Sequence, residues 1–61
     1  MKTYKMRLYY VAYDYGMDEV ECLDGPFLTY VNASDSLNLM LDGKNDNKLL
    51  IVCEVREVYS T

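Results

Sequence analysis

Histidine and tryptophan are absent from these 61 residues, cysteine occurs twice, glycine three times and proline once. Each shortage narrows the range of functions. Without histidine the commonest general base is missing. Two thiols, Cys22 and Cys53, fall short of the four Cys/His ligands that structural zinc usually takes. No phosphate-binding glycine loop is present, and a chain this short rarely encloses a ligand cavity. Cys22 follows Glu21 and precedes Asp24 by two residues, the reverse of the electropositive setting a thiolate nucleophile needs. The expectation is therefore a protein that is not an enzyme and that has no metal, no cofactor and no small-molecule substrate.

Long apolar runs are missing too. None approaches the ~20 residues that cross a bilayer, so no membrane partner is expected. The charged start, Lys2-Thr3-Tyr4-Lys5, is not followed by an apolar stretch of the secretory kind. A cytoplasmic location follows, where thiols stay reduced. Both cysteines lie in apolar segments and are expected to be buried and free.

Positive charge is missing from the middle of the chain. Net charge is −4, and no lysine or arginine lies between Leu8 and Gly43. That stretch carries Asp14, Asp18, Glu19, Glu21, Asp24, Asp35 and Asp42. Such a field repels phosphate backbones, which argues against nucleic acid, and attracts basic protein surfaces. Solubility is the plainer role for the same acids.

What remains is a short, apolar-patterned chain that makes one domain, 1–61. At this length folding buries only about 60% of the unfolded surface. Oligomerisation, as a homodimer, is the most accessible extra support. Residues 4–13 read as a strand, with Tyr4, Met6, Leu8, Tyr10 and Ala12 forming an apolar face at period two. Asp14-Tyr15-Gly16-Met17 supplies a turn. Residues 18–23 return, with Val20 placed opposite Ala12 and Cys22 opposite Tyr10. Asp24-Gly25-Pro26 then ends the hairpin. Tyr30, Ala33, Leu37 and Met40 or Leu41 fall at helical spacing. Thr29 is one candidate cap, and a shorter helix capped by Ser34 or Asp35 is the alternative. Gly43 is the stop. Residues 49–59 form a last strand.

The order β-β-α-β predicts an α+β fold, a three-stranded antiparallel/mixed sheet in order 2-1-3 with one helix on one face. One helix leaves the other face open. That face is expected to show Lys5, Arg7, Tyr9, Val11 and Tyr13, with Glu19, Glu21 and Leu23 beside them. The last strand adds Leu50, Val52, Glu54, Arg56 and Val58. So apolar a mixture on a solvent face points to an interface. The candidate partner-binding residues are thus Asp14, Asp18, Glu19, Glu21 and Asp24 on the hairpin, Tyr9, Val11, Tyr13 and Val52 on the sheet, and Leu39 on the helix.

The second half resembles a known family. Ser34-Asp35-Ser36-Leu37-Asn38-Leu39-Met40-Leu41-Asp42-Gly43 precedes Lys48-Leu49-Leu50-Ile51-Val52. This pattern is similar to the small uracil-DNA glycosylase inhibitors of phi29-like phages, with a short Ser/Asp-led helix ending at glycine, a polar loop and a final apolar strand. The family's helix also carries aromatic residues, and residues 34–43 here have none. The resemblance implies a dimeric, phage-type inhibitor that imitates DNA and binds the basic surface of a host DNA-processing or defence enzyme. Uracil-DNA glycosylase is the best single target, and the location would be the host cytoplasm. A homo-oligomeric structural module without an enzyme target is the other reading.

Overall fold

The computed structural model describes residues 2–60, with elements in the order β1 (Lys2–Gly16), β2 (Glu19–Phe27), α1 (Tyr30–Leu41) and β3 (Leu49–Ser60). The sheet order is β2-β1-β3 and both pairings are antiparallel. This is the α+β arrangement expected from the element order. β1 is longer than its apolar pattern suggested, because its pairing with β3 runs without interruption from Lys2↔Ser60 to Tyr13↔Leu49. β2 reaches only from Gly16↔Glu19 to Tyr9↔Phe27. One half of the molecule is therefore a three-stranded sheet carrying the helix, and the other half is a bare two-stranded arm. The arm stretches the molecule to 46 × 26 × 12 Å, with a radius of gyration of 13.7 Å. A compact chain of this length would have a radius of about 10.5 Å.

The hairpin turns later than expected. Gly16 pairs with Glu19, so the turn residues are Met17 and Asp18, at φ 54° and 63°. Positive φ at both central positions is what a type I′ turn requires, and its twist matches that of the strands. Asp14 serves the turn instead: its Oδ1 accepts from the Gly16 N–H at 2.8 Å. As a result Cys22 lies opposite Ala12 and Val20 opposite Asp14, two residues from the expected register. The facing parity is preserved.

Asp24-Gly25-Pro26 does not end the strand. β2 continues to Phe27 by absorbing extra residues, one between the pairs Ala12↔Cys22 and Val11↔Asp24, and one between Val11↔Asp24 and Tyr9↔Phe27. Proline is tolerated there because β2 is an edge strand. The Gly25-Pro26 peptide is cis. Gly25 has φ 126° and lies against Tyr10, where a Cβ would come within 2.8 Å of the ring. Only glycine fits.

Thr29 caps the helix, its Oγ1 accepting from the Asn32 N–H at 3.2 Å. The longer of the two expected helices is the one that forms. It ends at Asp42, in the left-handed region at φ 48°, whose N–H donates to the Asn38 carbonyl, and Gly43 follows at φ 77°.

The helix lies on the face opposite to the one expected. The Tyr30 ring meets Tyr9 edge-on at 6.1 Å, and the Ser36 hydroxyl donates to Asp24. Asp24 sits across from Val11, and Ile51 across from Val11 on the other side. Directly opposed residues share a face. Tyr9, Val11 and Tyr13 thus belong to the helix-bearing face, together with Leu49, Ile51 and Phe27. The open face carries Tyr4, Met6, Leu8, Tyr10 and Ala12 beside Leu50, Val52, Glu54, Arg56 and Val58. The β3 half of the expected open face is correct and the β1 half is reversed. The core is small, with Leu8, Val11, Ala12 and Ala33 buried. Cys22 and Cys53 are free but exposed rather than buried, because each stands on an outer strand. They occupy opposite faces with β1 between them, too far apart for a disulfide.

Candidate functional site

Topology sorts the charges to the two ends of the molecule. The hairpin, helix and following loop hold Asp14, Asp18, Glu19, Glu21, Asp24, Asp35, Asp42 and Asp46, with only Lys44 and Lys48 against them. The loop closes onto the hairpin through the Asp14 N–H, which donates to the Lys48 carbonyl at 2.9 Å. The arm holds Lys2, Lys5, Arg7 and Arg56 against Glu54 and Glu57. Eight of the ten acids share one end. What looked in the sequence like a central anionic stretch becomes a polar molecule with an acidic head and a basic arm.

The five hairpin acids are not equivalent. Asp14 holds the turn, as described. Asp24 is engaged at both oxygens, by the Gly25 N–H at 3.0 Å and by the Ser36 hydroxyl. Glu21 accepts from the Tyr15 hydroxyl at 3.0 Å. That carboxylate raises the Tyr15 phenol above the usual tyrosine range, first through the hydrogen bond to the protonated form and then through its charge. Asp18 and Glu19 make no side-chain hydrogen bond or ion pair among the described residues. They are the acids most available to a partner, while Asp14 and Asp24 support the fold.

Tyr15, Glu19, Val20 and Glu21 line an open cleft on the hairpin. The Tyr13 and Tyr15 rings lie 4.8 Å apart beside it. Carboxylates next to aromatic faces suit a lysine or arginine side chain. Met17, at the hairpin tip, is fully exposed. Sequence reasoning missed both Met17 and Tyr15. Their signal lay in the turn: once Met17-Asp18 is the loop, Tyr15 and Glu21 become neighbours across the hairpin.

The sheet and helix candidates separate in the same way. Val11 is fully buried and Tyr9 and Tyr13 are half-buried on the helix side, so none of them forms an open face. Val52 is half-buried on the open face, opposite Tyr10. Leu39 is 81% exposed, on the helix side away from the sheet. Tyr4, Tyr10 and Val20 are the open-face residues that the reversed parity concealed, while Leu50 and Val58 lie on that face as expected. Among the described residues no group of three or more acidic or thiol side chains is placed to hold a metal ion, and no helix is long and apolar enough to cross a membrane. Comparison with protein-family models, curated proteins and solved structures finds no match.

Proposed function

We propose that this chain is a non-catalytic, phage-type inhibitor whose acidic head docks on the basic DNA-binding surface of a host DNA-processing enzyme, with uracil-DNA glycosylase as the first target. The observation that carries the reading is the gathering of eight acids at one end of the molecule. A concentrated anionic surface steers toward basic clefts and sets the orientation of encounter. Asp18 and Glu19 would meet the target's cations directly. A lysine or arginine of the target would enter the cleft between Glu19, Glu21 and the Tyr15 ring, where Glu21 keeps acceptor capacity beyond its bond to Tyr15. Met17 would add an apolar contact at the tip.

The test is uracil excision from a single-stranded oligonucleotide by a purified bacterial glycosylase. Added protein should reduce the rate in proportion to its amount, and raised salt should relieve the inhibition. Full enzyme activity in the presence of excess protein at low salt would remove this target.

A further inference from the structure

We infer that the first half of β1 is a docking edge for a strand of another protein, an extended segment with alternating acidic and apolar side chains. This site is separate from the acidic head and needs no glycosylase.

The sheet lacks half of its third strand. β2 leaves β1 at the pair Tyr9↔Phe27, whereas β3 accompanies β1 as far as Lys2↔Ser60. From Lys2 to Leu8 one side of β1 therefore has no neighbouring strand among the described residues, over roughly 20 Å at the usual rise per residue. The antiparallel ladder decides which groups are left open there. The Asp14 N–H donates to the Lys48 carbonyl on the β3 side, and the register from that point to Lys2 is uninterrupted. Even-numbered residues of β1 thus bond to β3, and odd-numbered ones turn their N–H and C=O the other way. The Tyr9 carbonyl oxygen follows this rule, since it lies on the β2 side, against Gly25. Thr3, Lys5 and Arg7 are the odd residues of the vacant stretch. Among the described residues no backbone bond from a turn, loop or cap closes on them. Their donors and acceptors have the ladder spacing that an added strand completes.

Side chains select the strand. Lys5 and Arg7 are exposed and make no ion pair among the described residues. Arg7 stands across from Val55, and Glu57 lies across from Lys5 without closing a salt bridge. Acids opposite Lys5 and Arg7 on an added strand are favourable, and bases are not. On the other face Tyr4 is 50% exposed and Met6 half-buried, so the residues between those acids should be apolar. Antiparallel entry from the Phe27 end then reads acidic, apolar, acidic, apolar against Arg7, Met6, Lys5 and Tyr4. The same cations turn away a second copy, because two such edges would set their Lys5 and Arg7 side chains against each other. The chain's own segment of that pattern, Glu19-Val20-Glu21-Cys22, is already paired with the other half of β1. The outer edge of β3 carries no comparable preference, since its Arg56 is neutralised by Glu54 at 2.7 Å.

The experiment is fluorescence anisotropy of a labelled peptide, Ser-Glu-Val-Glu-Val-Thr-Ser, titrated with the full chain at low salt. The peptide should bind, and the version with glutamine for both glutamates should bind at least ten-fold more weakly. Arg7→Glu should weaken binding by at least ten-fold and Arg7→Lys should keep most of it, with circular dichroism confirming that both are folded. Two methylated peptides then separate strand addition from charge attraction on the wild-type chain. The N–H of the second glutamate points at β1 opposite Lys5, so its N-methylation should abolish binding. The N–H of the first valine points away, and its N-methylation should be tolerated. The proposal is overturned by an acidic peptide that does not bind, by a glutamine peptide that binds equally, or by two methylated peptides of equal affinity. A signal that falls again as the chain is concentrated gives the edge to a second copy and overturns it too.

Discussion

Gly25 is the residue on which the shape of β2 turns. A Cβ there would sit 2.8 Å from the Tyr10 ring and 2.9 Å from the Tyr9 carbonyl oxygen, and that backbone atom cannot move aside as a side chain would. With φ at 126° the conformation is also one that other residues rarely adopt. Gly16 has φ 82° but open space around it. Gly25→Ala should therefore cost about 2–3 kcal/mol and Gly16→Ala about 1 kcal/mol. Urea unfolding midpoints measure both, and equal losses would contradict this account of Gly25. A second residue-scale consequence concerns Tyr15. Its phenol holds its proton more tightly in the folded chain because it donates to Glu21. The bond's contribution is therefore present below the ordinary tyrosine pKa of about 10 and is lost as pH rises through the folded value. Wild-type stability should fall more steeply than that of Tyr15→Phe above about pH 10. Parallel pH curves for the two proteins would contradict the assignment.

The helix shows what a sequence can reveal about an element. Thr29 and the Asp42-Gly43 stop are side-chain and backbone signals local to the helix ends; the stop was legible without a structure, whereas Thr29 was one candidate cap beside Ser34 and Asp35 until the fold selected it. Thr29→Ala removes the acceptor for the Asn32 N–H and should cost about 1 kcal/mol, with a matching drop in helical circular dichroism on warming. Stability unchanged by this substitution would assign the cap elsewhere. The strands were harder. Residues 4–13 alternate apolar side chains on both parities, so their pattern does not say which face the helix covers. The answer depends on the even sum of β1–β3 partners, as in Val11↔Ile51, and that is set by long-range pairing. The irregularities of β2 add residues that no period-two count reveals. Asp24-Gly25-Pro26 therefore read as a stop when it is a kink within an edge strand.

For the molecule as a whole, the legible part of the site was its sign and the hidden part its geometry. The absence of lysine and arginine between Leu8 and Gly43 marked the hairpin acids as one group. Only the folded chain separates Asp14 and Asp24, which satisfy local donors, from Asp18 and Glu19, which do not. It also exchanges Tyr9 and Val11 for Tyr4, Tyr10 and Val20 as the residues of the uncovered face. The central claim is that binding is carried by charge at the acidic head. The most direct measurement titrates bacterial uracil-DNA glycosylase with wild type and with the triple variant Asp18→Lys, Glu19→Lys, Glu21→Lys, at low and at raised salt. Wild type should bind, raised salt should weaken it, and the triple reversal should weaken it by at least ten-fold, about 1.4 kcal/mol, while the fold persists. Full affinity in the folded triple variant would contradict the claim.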